Sequence, residues 1–371
     1  MSDTHSPDFV ESKANPYFIG HEIVENIFLE SWNGGRVAQS WLICGQRGIG
    51  KSLLAYRLAR FALNHKSSSH SEDLFEELPS CNSLQMSEEH NLFRRTAALG
   101  HTDFRVVERG WVDAKKNKRK SVIGVDDVRT VRNFLAKTPA EGGWRVVLID
   151  AADEMNINAA NAVLKILEEP PSRSLILLIA HHPDRLLPTI RSRCRRLDLR
   201  PLKESQVADL LLRYCPNLNT EELSVLTILA QGSIGKALEL VENGGASLFR
   251  ELMSTLGNGL ELNINQARTL ADKVSRGDTF RTLSSLILWW LARIAAFNAR
   301  GILTSFTEVV PGEQNLASML MSTSSPASWA ESWLEIQHIS ERTLALHLDR
   351  KRSLILMLNT IVQTANGVRS A

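Results

Sequence analysis

The eight residues Gly45-Gln46-Arg47-Gly48-Ile49-Gly50-Lys51-Ser52 form a complete G-x-x-x-x-G-K-S loop, and their types suit phosphate chemistry. Glycines let successive backbone N–H groups turn toward one point, where they cradle phosphate oxygens. Lys51 is placed to reach the β- and γ-phosphates, and the Ser52 hydroxyl to ligate Mg²⁺. A helix beginning at this loop adds the positive end of its dipole. About 100 residues later, Val146-Val147-Leu148-Ile149-Asp150 reads as an apolar strand ending in an acid. Such an acid can hold the same Mg²⁺ through water. A third group is Arg193 in Pro188-Thr189-Ile190-Arg191-Ser192-Arg193-Cys194. By residue type alone it is one member of a surface arginine cluster with Arg191, Arg195 and Arg196.

These residues need elements to place them. Trp41 to Cys44 is a short apolar run ending at the glycine loop, and residues 53 to 63 have helical periodicity, so the order is strand, loop, helix. Residues 104 to 108, 146 to 149 and 175 to 180 read as further strands, with helices over 125 to 136 and 158 to 168 between them. Four apolar strands alternating with helices predict a parallel sheet covered on both faces. After Arg200 only helical periodicity remains, with Trp289, Trp290, Trp329 and Trp333 as core or interface anchors. The expected organisation is a flexible tail over 1–14, an α/β domain over 15–200, a small helical domain over 201–245, and a second helical domain over 246–371.

Composition narrows the function. Lys plus Arg number 43 against 41 Asp plus Glu, so no global charge draws the chain to nucleic acid, and any such contact must be local. Four separated cysteines, with no Cys-x-x-Cys pair, argue against a disulfide framework and fit a reducing cytosol. No run of 18 apolar residues and no apolar segment near the N-terminus occur, which leads to the expectation of a cytoplasmic protein.

The run from Asn158 to Pro171, Asn-Ala-Ala-Asn-Ala-Val-Leu-Lys-Ile-Leu-Glu-Glu-Pro-Pro, resembles the N-A-L-L-K-x-L-E-E-P-P signature of clamp-loader subunits, which are AAA+ proteins. Ser192-Arg193-Cys194 matches their S-R-C motif, and Glu141 through Cys194 is similar to the bacterial delta-prime family of clamp-loader subunits. The resemblance covers residues 15 to 240 and returns at Leu344 to Lys351. It implies an AAA+ module with a helical lid, followed by a helical collar that joins five subunits in an open ring. It implies as partners the gamma/tau and delta subunits and, indirectly, the sliding clamp and primed DNA. It also implies that Arg193 acts in trans, as an arginine finger at a neighbouring subunit's ATP.

Departures from the family pattern refine this expectation. Hydrolysing AAA+ proteins usually carry Glu directly after the strand-ending Asp, but here Ala151 follows, with Asp153 and Glu154 expected to point elsewhere. The sensor 1 position falls near His181 and His182, and the sensor 2 arginine is replaced by Gly235, with Lys236 beside it. The chain is therefore expected to bind ATP or ADP with Mg²⁺ and to hydrolyse ATP slowly or not at all, as a stator of the complex. Relatives often carry a four-cysteine zinc module. Cys81 with scattered His65, His70, His90 and His101 predicts no zinc. The basic run Lys115 to Lys120 reads as a solvated hairpin tip rather than a DNA contact. Rival readings are an autonomous AAA+ ATPase of the motor type, a scaffold whose phosphate loop is vestigial, and, more distantly, a small-molecule kinase.

Overall fold

The computed structural model describes residues 11–34, 37–65, 81–113, 118–120, 122–257, 261–275, 278–300 and 307–367. Residues 1–10 of the expected tail, His70, and the 115–117 part of the basic run lie outside them. The chain divides into two compact units, Asp8–Gln206 with Gly232–Gly235, and Val207–Gln231 with Lys236–Ala371.

In the first unit the order is α1 (Glu22–Asn33), β1 (Ser40–Cys44), α2 (Lys51–Asn64), α3 (Asn91–Ala97), β2 (Phe104–Val107), β3 (Trp111–Asp113), β4 (Lys118–Arg119), α4 (Val125–Leu135), β5 (Arg145–Ile149), α5 (Ile157–Glu168), β6 (Ser174–Ala180), α6 (Pro188–Arg191) and β7 (Arg195–Asp198). Five strands pair in the order β2-β5-β6-β1-β7, all parallel. Every residue of β1, β5 and β6 is buried, as strands covered on both faces must be. Phe28, Leu54 and Leu58 from α1 and α2 pack one face of the sheet. Val128, Val163 and Ile166 from α4 and α5 pack the other. Because β1 sits between β6 and β7, the chain leaving its carboxyl end enters a crevice where the strand order reverses, the usual ligand position in open α/β sheets.

The sequence reading gave four strands, and the sheet has a fifth. In β7 only Leu197 is buried, and the other three residues are charged, so no apolar alternation marks it. Its pairing with β1, Leu42 opposite Arg196 and Ile43 opposite Leu197, makes it a strand. Charges of this kind suit an edge. β3 and β4 form a small antiparallel hairpin, which places Lys118 and Arg119 of the basic run on its second strand.

The second unit is helical among the described residues: α7 (Glu204–Tyr214, which crosses the boundary), α8 (Thr220–Ala230), α9 (Ile234–Glu242), α10 (Gly245–Leu256), α11 (Ile264–Lys273), α12 (Thr279–Arg300), α13 (Glu313–Thr323), α14 (Pro326–Ala345) and α15 (Arg350–Ala365). By length and composition α12 could cross a membrane, but half of its most apolar stretch is buried within the protein. Phe280, Ile287, Trp290 and Ile294 form its inward face. Trp290 and Trp329 are fully buried, while Trp333 is half-buried and donates its indole N–H to the Leu288 carbonyl at 2.9 Å. A carboxyl group is buried with them, its pKa raised by that burial and held back by its hydrogen-bond donors. Glu313 accepts from the Trp290 indole at 3.1 Å, the Arg293 guanidinium at 2.8 Å and the Val309 amide at 2.6 Å.

Candidate nucleotide site

The phosphate loop joins β1 to α2. Gly50 takes φ +106°, a left-handed conformation that side chains resist, and no side chain caps the first N–H groups of α2. Those groups are thereby left for an anion. The loop's carbonyls are engaged one after another on the other side. Lys51 Nζ donates to the carbonyls of Gly45 and Gln46, both at 2.7 Å. Ser233 Oγ donates to Arg47 O at 2.9 Å, and the Gly235 amide donates to Gly48 O at 2.8 Å. His21 Nε2 lies 3.1 Å from Ile49 O, and burial, the largest influence, lowers this histidine's pKa, so its ring is neutral and donates. Five consecutive carbonyls are satisfied this way, which holds the loop in the conformation that a phosphate cradle needs.

Nothing in the local sequence signals His21 or Ser233 as loop partners, because they lie far away along the chain. Gly235, read as a lost sensor arginine, has a steric role. A Cβ there would stand 2.6 Å from Gly48 Cα, and backbone cannot yield as a flexible side chain can. Gly235→Ala is expected to cost about 1–3 kcal/mol by overpacking. The measurement is a urea melt paired with nucleotide titration, and both should weaken together. Lys236 donates to Gln231 Oε1 at 2.9 Å.

Ser52 Oγ donates to Asp150 Oδ2 at 3.0 Å. Burial raises the Asp150 pKa, opposed by this hydrogen bond and by Lys51. Burial also brings the Lys51 ammonium down to about 8, against the pull of Asp150 and Asp153. A hydroxyl and a carboxylate in contact below a cradle of amides are hard oxygen ligands of the kind Mg²⁺ takes. The residues present therefore fit a nucleotide with its metal.

A cavity of about 560 Å³ adjoins the loop, lined among others by Gln46, Arg47, Asp153, His181, Arg185 and Arg196. Asp153 accepts the backbone amides of His181 at 3.1 Å and His182 at 2.9 Å, which fixes the turn after β6. Glu154 pairs with Arg109 at 2.7 Å. Both acids line the cavity, although the sequence leads to the expectation that they point elsewhere; each is already engaged there, Asp153 by two amides and Glu154 by Arg109. His181 is drawn down to about 4, first by burial and then by Lys51, so its ring is neutral at pH 7. Its Nδ1 is buried with no hydrogen-bond partner among the described residues, a polar atom facing the loop's charges that a ligand can satisfy.

Arg193 does not line this cavity. Its guanidinium donates to Thr189 O at 3.1 Å and pairs with Glu168 at 3.0 Å, and 37% of the side chain is exposed. Of the expected non-ligands of zinc, His65 Nε2 lies 3.1 Å from Cys81 Sγ, His90 caps α3 through the Leu92 amide, and His101 is buried 3.6 Å from Glu141. Among the described residues no group of three or more His, Cys, Asp or Glu is placed to hold a metal.

With this geometry in place, comparison with known proteins gives the family. The family model described as DNA polymerase III, delta subunit, matches residues 20–203. The chain is 36% identical over 203 residues to the DNA polymerase III subunit delta' of Pseudomonas aeruginosa, covering 54% of this chain and 55% of that one. It is 30% identical over 276 residues to the delta' subunit of Escherichia coli, covering 71% of this chain and 70% of that one. A DNA polymerase III subunit tau of Bacillus subtilis is 25% identical over 279 residues, but the match spans only 45% of its length. The match to most of the Escherichia coli subunit, together with a sheet and phosphate loop of the expected form, places the chain in the delta' family of DNA polymerase III subunits.

Proposed function

We propose that this chain is the delta-prime stator of a clamp loader. It binds ATP or ADP with Mg²⁺, hydrolyses little by itself, and supplies Arg193 to a neighbouring subunit's ATP. Its partners are the gamma/tau and delta subunits and, through them, the sliding clamp and primed DNA in the cytoplasm. The observation that carries the nucleotide part is the loop itself: five carbonyls tied back, an uncapped helix start, and Ser52 against Asp150. The Mg²⁺ would be held by Ser52 and Asp150, and would neutralise charge on the phosphates. Lys51 would add its ammonium, and His181 Nδ1 would take or give a hydrogen bond at the phosphate end. Ala151 supports the stator part, since it offers no carboxylate beside Asp150.

The nucleotide reading is tested by titrating a fluorescent ATP analogue with Mg²⁺ into the full chain. Binding is expected, and Lys51→Ala should abolish it. The pH dependence follows from the Lys51 ammonium. Its pKa is lowered to about 8 in the free chain, so the charge is present below that pH and is lost as pH rises through it. Bound phosphate favours the charged form. Affinity should therefore be full at pH 7 and about tenfold weaker at pH 9. A chain that binds no analogue at pH 7 would be the scaffold with a vestigial loop.

A further inference from the structure

The cavity beside the phosphate loop carries positive charge that the loop itself does not use. Arg47 and Arg185 both line it, and both are exposed. Among the described residues Arg47 is held only through its carbonyl, by Ser233, and Arg185 only through its amide, by His182. Neither guanidinium has a partner there. The other charges of the cavity are matched. Arg196 donates to Asp198 Oδ1 at 2.7 Å, and Glu154 pairs with Arg109. Asp153 keeps its charge, with its two oxygens taken up by the amides of His181 and His182. Leaving the imidazoles aside, two unmatched guanidiniums stand against one carboxylate, so the cavity is set for an anion. A third unmet group lies in the same wall: His181 Nδ1 is buried without a hydrogen-bond partner. The cavity also begins where a nucleotide's phosphates would end. Gly45 and Gln46 form part of its wall, and their carbonyls are the two that Lys51 Nζ contacts. Lys51 is the side chain that meets the β- and γ-phosphates in loops of this kind. A phosphate chain continuing past that ammonium enters the cavity.

We propose that Arg47, Arg185 and His181 recognise the terminal phosphate of a nucleoside triphosphate and so make this loop select ATP over ADP. This rests on the nucleotide-binding reading above. A guanidinium presents paired N–H donors in the geometry of two phosphate oxygens, and a doubly charged phosphoryl group can engage two such forks. His181 Nδ1 completes the set with a hydrogen bond. ADP stops short of the cavity. It gains nothing from the excess charge there, and it leaves the buried Nδ1 unmatched. The selectivity is a difference between two ligands at one loop, carried by contacts that only the longer one makes. No bond forms or breaks in it, so it holds whether or not the chain hydrolyses what it binds. A subunit that hydrolyses little then carries ATP and not ADP.

The test titrates a fluorescent, non-hydrolysable ATP analogue and the matching ADP analogue, each with Mg²⁺, into the full chain at pH 7. The wild-type chain is expected to bind the ATP analogue about tenfold tighter or more, a difference of at least about 1.4 kcal/mol. Arg185→Gln, at an exposed side chain with no partner to lose, should cut that preference to about threefold or less by weakening the ATP analogue alone. Arg47→Gln should act in the same direction, and Arg185→Lys should restore only part of the loss. Equal binding of the two analogues by the wild-type chain overturns the proposal. So does an Arg185→Gln chain that keeps the preference, or one that loses affinity for both analogues alike. In each of these cases nucleotide binding survives. ADP binding that tightens as inorganic phosphate is added, with no preference for the triphosphate, would put a free ion in the cavity and overturn the assignment as well. A wild-type chain that binds neither analogue removes the nucleotide-binding reading, and the proposal with it.

Discussion

Replacing Arg193 by Ala is expected to lower the ATPase rate of the assembled clamp loader, with clamp and primed DNA, by tenfold or more. The barrier then rises by at least about 1.4 kcal/mol. A guanidinium brought to a transferring phosphoryl group in trans is worth far more than that at its own site, about 10³-fold or above. The expected fall is smaller because, in the proposed assembly, this chain would face one ATP among several. Structure argues that the effect can be read without collapse of the protein. Arg193 is held only by an exposed ion pair to Glu168 and a bond to the Thr189 carbonyl. Losing an exposed pair of this kind costs about 0–1 kcal/mol, so folding and assembly should persist. Those two contacts anchor the side chain at the end of α5 and beside α6, while more than a third of it stays exposed. Arg193→Lys should rescue poorly, because a point ammonium lacks the planar fork that spans two phosphate oxygens. An unchanged rate in an assembled Arg193→Ala complex would make Arg193 a structural tie for Glu168.

The second large effect lies in the helical unit. Glu313→Ala is expected to destabilise it by about 3–5 kcal/mol, read by urea denaturation of the full chain with far-UV circular dichroism. Glu313 is fully buried and carries three donors: the Trp290 indole, the Arg293 guanidinium and the Val309 amide. Arg293 also donates to the Thr307 carbonyl and lies over the Trp289 ring at 5.3 Å. Removing the carboxylate leaves a largely buried guanidinium uncompensated and an indole N–H without its acceptor. The penalty is the desolvation of those groups more than the loss of the pair's attraction. Replacing Glu313 and Arg293 together by apolar residues should therefore cost less than Glu313→Ala alone. A single substitution costing under 1 kcal/mol would mean that water reaches the site.

The two kinds of residue in this protein differ in how far they could be read without coordinates. The phosphate loop, the strand before it, the helix after it and the apolar strand ending at Asp150 were legible because each is contiguous. Glycine placement, a run of apolar residues and a 3.6 period are properties of neighbours in the chain, and parallel strands buried on both faces announce themselves by hydrophobicity alone. Position 151 was legible in the same way, as an alanine where a carboxylate was looked for. β7 was not, since Arg195, Arg196 and Asp198 hide an edge strand whose identity comes from hydrogen bonds to β1. The ties that hold the loop were also hidden. His21, Ser233 and Gly235 reach it from 28, 186 and 187 residues away along the chain. Asp153 could be taken for a base until two backbone amides were seen to occupy it. The sequence by itself determined which chemistry the chain carries, because a phosphate cradle is built from consecutive residues. Only the tertiary structure decided which side chains hold that cradle and which acids face it, because packing brings those groups together across separations that no local pattern records.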